Sequence, residues 1–206
     1  MSDKRIQGYK IISLSEMLLQ VGGERVKEIL SSFSSPMNKD VEIFLKEKAI
    51  TFNEQSISKT HLVFASYRGE VVLVGYFTLA YKEFTIPIKN IGCKLKGRLK
   101  KFGNYNFDLK AYKISAPLIA QLSKNFANGY NRLISGDELL QMACNMISEI
   151  QLLVGGKIVY VECEDKICLT NFYERNGFVI FSQRQLDAKS KENMDTDYLL
   201  QLLRYL

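Results

Sequence analysis

Residues 157–183 read KIVYVECEDKICLTNFYERNGFVIFSQ, and the patterns inside this stretch decide the fold class. Lys157–Cys163 is a β-branched run of the kind that fills a buried strand. Asp165–Arg175 has helical spacing and stops at Asn176-Gly177, where a glycine suits the left-handed turn that ends a helix. Phe178–Gln183 returns to strand formers.

The same alternation continues outward. Upstream, Ser135–Leu152 is the clearest helix, with Leu139, Leu140, Ala143, Met146, Ile147 and Ile150 on one stripe. Its start, Ser135-Gly136-Asp137-Glu138, has capping-box spacing: the serine accepts from the amide of Glu138 and the glutamate reaches back. Gly155-Gly156 closes it. Tyr112–Leu122 is strand-like but holds Pro117, so it needs a bulge or a free edge there. Downstream, Tyr198–Leu206 is apolar and fits a strand or a helix by pattern alone. The polar run Lys189–Thr196 reads as a loop. In the first half, Tyr9–Ile12 suits a short strand and Ser15–Phe33 a pair of helices broken at Gly22-Gly23. Lys39–Phe52 has amphipathic helix spacing. His61–Tyr67 and Glu70–Tyr81 form a hairpin about Arg68-Gly69. The expected architecture is α/β, a mixed central sheet with helices on both faces, in a single domain over 1–206.

The chain has 206 residues, 47% hydrophobic and 24% charged, which suits one globular core. No apolar run approaches the ~18 residues of a membrane span. The polar start Met1-Ser-Asp-Lys-Arg does not read as a secretory signal. Cys93, Cys144, Cys163 and Cys168 form no C-x-x-C pair and read as reduced thiols, so a cytoplasmic location is expected. His61 is the sole histidine. That argues against a His-rich zinc site, and no metal is expected. Cysteine catalysis at Cys163 or Cys168 would need an activating base that nothing in the sequence places nearby. The formal net charge of +6 suits anionic partners or a mildly basic solvated surface. Much of it falls in an excursion at about 82–110 with Lys89, Lys94, Lys96, Arg98, Lys100 and Lys101. This segment reads as contact with an acidic or nucleic-acid substrate, or as a solvated loop or short helix.

Within Lys166–Phe178, the residues Tyr173, Glu174, Gly177 and Phe178 match the last motif of the GNAT acetyltransferase superfamily, N-x-x-A-x-x-L-Y-E-x-x-G-F. Lys166, Leu169 and Phe172 stand at its Asn, Ala and Leu positions. Ahead of Leu139-Leu140, the run Asn131-Arg132-Leu133-Ile134-Ser135-Gly136 lies where that family carries Q/R-x-x-G-x-G/A. Gly136 matches, Asn131 replaces Gln or Arg, and Ile134 replaces the first glycine. Asp40–Leu45, Val74–Leu79 and Leu118–Lys124 follow in the family's order. The set most resembles the branch that contains tRNA-acetylating toxins.

This resemblance implies the GNAT fold, in which a parallel pair of strands splays apart, here Tyr112–Leu122 and Lys157–Cys163. It implies acetyl-CoA as co-substrate, with Leu122, Ser123 and Lys124 along the pantetheine arm. The loop Asn131, Arg132, Ile134, Ser135, Gly136 and Asp137 would meet the pyrophosphate, with Lys166 at the family's Asn position. Tyr173 takes the role of general acid. Glu162 and Glu164, one face apart from Cys163 by strand alternation, are candidates for general base or are strand-end charges. The function implied is N-acetyl transfer to a primary amine. The acceptor is a small-molecule, peptide or tRNA-borne amine. A non-catalytic GNAT-fold binding module stands as the alternative, and the oligomeric state, a homodimer included, is left open.

Overall fold

The computed structural model describes residues 8–186 and 196–206, which divide into two compact units. The first comprises the described residues up to Ala80 with Ala120–Ala143; the second comprises Tyr81–Ile119 and Cys144–Leu206. The loop expected over Lys189–Thr196 lies outside the described residues, apart from Thr196. Among the described residues no helix is long and apolar enough to cross a membrane.

In the first unit, β1 (Tyr9–Ser13) pairs antiparallel with β2 (Lys59–Tyr67), and β2 with β3 (Glu70–Pro87). Arg68 and Gly69 both take positive φ, 53° and 86°, as a two-residue hairpin turn demands. The two expected helices are α1 (Leu14–Val21) and α2 (Gly23–Ser31), separated at Gly22 with φ 78°. Lys39–Phe52 is one apolar face carried by α3 (Lys39–Ile43), a π-helical segment Phe44–Lys48 and α4 (Ala49–Glu54). These helices bury Leu14, Val26, Leu30, Phe44 and Leu45, with Phe33 just after α2, against Leu62 and Tyr76 of the strands. The fully buried Tyr76 hydroxyl donates to the Val41 carbonyl at 2.5 Å, so its polar atom does not go unpaired.

In the second unit, β3 continues to Pro87 and β5 (Ala111–Lys124) is antiparallel to β4 (Gly103–Asn106). β5 is parallel to β6 (Ile158–Cys163) through Leu118↔Tyr160 and Ile119↔Val161. β6 pairs antiparallel with β8 (Tyr198–Tyr205), and β8 with β7 (Val179–Gln185). The final apolar stretch is therefore a strand with both edges occupied. The hydrogen-bonded order is β1-β2-β3-β5-β6-β8-β7, with β4 on β5. Between the sheet strands run α6 (Gly136–Val154) and α7 (Ile167–Arg175).

Two features differ from the sequence expectation. β3 extends past Tyr81 because Phe84 and Ile86 alternate inward, at 5% and 0% exposure. The excursion at 82–110 is thus partly ordered secondary structure: the end of β3, a 3₁₀ turn Ile88–Asn90, α5 (Cys93–Leu99) and β4. On α6 the buried stripe takes in Cys144, and Ile150 is 44% exposed. Pro117, by contrast, meets the free-edge alternative read from the sequence. It falls between Ile114, where β4 pairing ends, and Leu118, where β6 pairing begins.

His61 on β2 lies opposite Phe77 on β3, with the rings stacked 5.1 Å apart. Burial lowers its pKa from the ordinary 6.5 to about 4. The unfolded chain therefore takes up this proton at a higher pH than the folded one. The contribution is whole above pH 6.5 and is lost as the pH falls towards 4. His61→Gln is expected to flatten the stability profile across that window by on the order of 1–2 kcal/mol, after allowance for partial exposure. Urea denaturation of both proteins at the two limits checks this.

Candidate active site

The structure distributes the predicted site residues between the two units. Leu122–Lys124 and Asn131–Asp137 belong to the first; Glu162, Glu164, Lys166 and Tyr173 belong to the second.

In the first unit β5 ends in a loop held by a buried amide. Asn125, 1% exposed, donates its backbone N–H to Val74 and its Nδ2 to Leu73, at 2.8 and 2.9 Å. Its Oδ1 accepts from the amides of Ser34 and Ala127, both at 3.0 Å. Beside it the Ser123 hydroxyl bonds that of Ser35 at 3.1 Å. Gly75 on β3 passes so close that an added Cβ would lie 3.0 Å from the Ser123 carbonyl. The Lys124 ammonium donates to the Asn131 carbonyl at 3.1 Å and so tethers the far end of the loop. The loop turns through Asn128 and Gly129, both left-handed, at φ 52° and 75°.

The start of α6 is the capping box read from the sequence. Ser135 N–H and Oγ donate to the Glu138 carboxylate at 2.8 and 2.7 Å, and the Glu138 amide donates to Ser135 Oγ at 3.1 Å. The Tyr9 hydroxyl also donates to Glu138 Oε1 at 3.3 Å. Ile134, at the position of the family's first glycine, is 3% exposed, so its side chain is housed in the core. The amides of Ile134 and Gly136 have no partner among the described residues, and Arg132 is exposed without an ion pair among them. Two amides and a guanidinium suit a phosphate group. The Glu138 carboxylate at the same helix start opposes one.

In the second unit the match Tyr173-Glu174-x-x-Gly177-Phe178 has a direct physical meaning. The Phe178 amide bonds the Tyr173 carbonyl at 3.1 Å and the Gly177 amide bonds the Glu174 carbonyl at 2.9 Å. Gly177 has φ 81°, and the Tyr173 and Phe178 rings meet edge to face at 5.5 Å. These are the two hydrogen bonds, the left-handed residue and the apolar contact of a Schellman cap. α7 begins at Ile167, with Lys166 as its N-cap residue.

Tyr173 is 8% exposed, and its hydroxyl has no hydrogen-bond partner among the described residues. Burial raises its pKa well above the ordinary value, helped by the Cys163 and Cys144 thiols, so it stays protonated at neutral pH. Burial, with Asp165 and Glu164, likewise pushes the Cys163 thiol up to about 12. That leaves it neutral and unsuited to nucleophilic attack. All four cysteines are free thiols.

The two carboxylates are engaged. Glu162 accepts from Arg184 Nε at 2.9 Å and from Gln201 Nε2 at 2.8 Å, joining β6, β8 and β7. Glu164 pairs with Lys166 at 2.6 Å. Sequence reasoning passed over Asn125, whose role depends on partners far away in the chain.

No family model matches the chain, and no curated protein matches it in sequence. Solved structures do match. A tyrosine-to-phenylalanine variant of KacT superimposes with a TM-score of 0.60 at 14% identity, covering 94% of each chain. AtaT complexed with acetyl-methionyl-tRNAfMet gives 0.58 at 16%, again covering 94% of each chain. The AtaT variant toxin bound to the C-terminus of the antitoxin AtaR and acetyl-CoA gives 0.55 at 16%, covering 96% of this chain and 92% of that one. The fold is the GNAT fold. Within it, the two-pair parallel contact of β5 with β6 is the pair expected to splay.

Gly177→Ala is expected to destabilise the protein by about 1 kcal/mol or more, since alanine is strained at this φ. A thermal melt should fall by a few degrees, with the loss traced to the end of α7 by hydrogen exchange at Gly177 and Phe178.

Proposed function

We propose that the protein is an acetyl-CoA-dependent N-acetyltransferase that uses Tyr173 as its acid. The observation that carries this reading is a tyrosine held protonated by burial, with an uncommitted hydroxyl, at the Schellman-capped end of α7 in a GNAT fold. Acetyl-CoA supplies an acetyl group activated as a thioester, which a neutral amine attacks with loss of a thiolate. In the first unit the amides of Ile134 and Gly136, with Arg132, bind phosphate, and the backbone at Leu122, Ser123 and Lys124 offers strand-edge hydrogen bonds. In the second unit the Tyr173 hydroxyl donates to the departing sulfur. A free thiol has a pKa of about 8.5, well below that of the buried tyrosine. Complete proton transfer is therefore uphill by itself, and the hydroxyl acts first as a hydrogen-bond donor. The amine's proton passes to water, because Glu162 and Glu164 are already held by Arg184, Gln201 and Lys166.

A second reading makes the acceptor an amine carried on tRNA. The net charge of +6 and the likeness to AtaT, whose structure holds acetyl-methionyl-tRNAfMet, favour it.

Calorimetric titration with acetyl-CoA tests the cofactor, and saturable binding near one per chain is expected. Tyr173→Phe should keep the fold and this binding while lowering turnover on the order of 100-fold; unchanged turnover would remove Tyr173 from the chemistry. Glu138→Gln retains a capping partner and deletes the opposing charge. It should tighten cofactor binding about three- to five-fold in the same titration.

A further inference from the structure

The protein's net positive charge is matched by that of one segment. Residues 84–112 carry seven basic residues (Lys89, Lys94, Lys96, Arg98, Lys100, Lys101 and Lys110) against one acid, Asp108. That net of +6 equals the formal charge of the whole chain, so everything outside the segment balances to zero. Elsewhere, lysines such as Lys46 and Lys113 sit in ion pairs. Lys96, Arg98, Lys100, Lys101 and Lys110 make none among the described residues. Like charges on seven-residue α5 and the turn after it repel one another, and no ion pair among the described residues offsets that cost.

The segment is also firmly mounted. Leu99 on α5 is fully buried. Phe102 meets the Tyr205 ring at 6.1 Å, and the Arg98 guanidinium lies over the same ring at 4.8 Å. An aromatic row follows: Tyr112 touches Tyr105 at 5.3 Å, and Tyr105 touches Phe107 at 4.8 Å. Phe107 ends the row at 82% exposure, in a turn fixed by the Leu109 amide bonding Asn106 Oδ1 at 2.9 Å. A phenylalanine presented this way contributes little to a core.

We propose that this surface binds single-stranded RNA, with Lys96, Arg98, Lys100, Lys101 and Lys110 on successive phosphates and Phe107 stacking an unpaired base. Clustered cations and an exposed aromatic are the two elements such binding uses. A duplex would hide the bases that Phe107 needs. A lipid surface calls for an amphipathic helix with its apolar face outward, whereas α5 turns Leu99 inward. The proposal stands whether or not the protein transfers acetyl groups.

Fluorescence anisotropy of the full chain with a labelled mixed-sequence 12-nucleotide RNA tests it, without acetyl-CoA. About five neutralised phosphates predict a roughly 100-fold loss of affinity between 50 and 200 mM salt. The triple change Lys96→Gln, Lys100→Gln and Lys101→Gln should weaken binding and lower the logarithmic salt slope by about 2. Phe107→Ala should weaken it about ten-fold without altering that slope. Circular dichroism melts matching the parent confirm that both variants fold. The proposal is overturned by absence of binding, by binding that neither variant changes, by an equal response with duplex DNA, or by preference for phosphatidylserine vesicles over RNA.

Discussion

The first unit is organised around the side-chain amide of Asn125. A buried primary amide left unpaired costs on the order of 1–3 kcal/mol per group, and Asn125 avoids that by meeting Leu73, Ser34 and Ala127 at once. With its backbone bond to Val74, one residue ties the end of β5 to β3 and to the chain that follows α2. The glycine at position 75 allows the approach, since a side chain there would crowd Ser123 and Leu139. The loop from Ala127 to Ser135 then leaves from a fixed point, and α6 starts where its capping box can close.

At that start, helix stability opposes the phosphate binding proposed for it. A glutamate in the first turn steadies a helix by satisfying amides and opposing the dipole. The same carboxylate occupies the Ser135 amide and places negative charge where an anion would be held. The loop therefore has fewer open amides than a glycine-rich one, and in the proposed phosphate contact Arg132 and the amides of Ile134 and Gly136 would carry more.

Legibility in the sequence followed the range of the interactions. The capping box at Ser135–Glu138 and the helix stop at Asn176-Gly177 are local, so residues three to five apart reveal them, and both formed as read; the structure adds that the stop is a Schellman cap. The break at Gly22-Gly23 and the hairpin turn at Arg68-Gly69 were legible for the same reason. The inward alternation of Phe84 and Ile86 was masked by the charges around it. Ile150 departed from its stripe because burial near the end of α6 depends on what packs there. Tyr198–Leu206 was ambiguous by pattern, and pairing with β6 and β8's other neighbour, β7, resolved it as a strand. Asn125 could not be found from spacing, since its partners lie 52 and 91 residues away. The engagement of Glu162 depended in the same way on Arg184 and Gln201.

The cap that ends α7 also limits how Tyr173 can behave. Its carbonyl closes the helix and its ring clasps Phe178, so the residue cannot swing as an arm without unwinding the turn that holds it. Whatever passes the hydroxyl must come to it. As the proposed donor it would be rigid and already desolvated, leaving little reorganisation for the moment of bond breaking. In the proposed reaction, specificity would rest on how a substrate is delivered rather than on how the tyrosine moves.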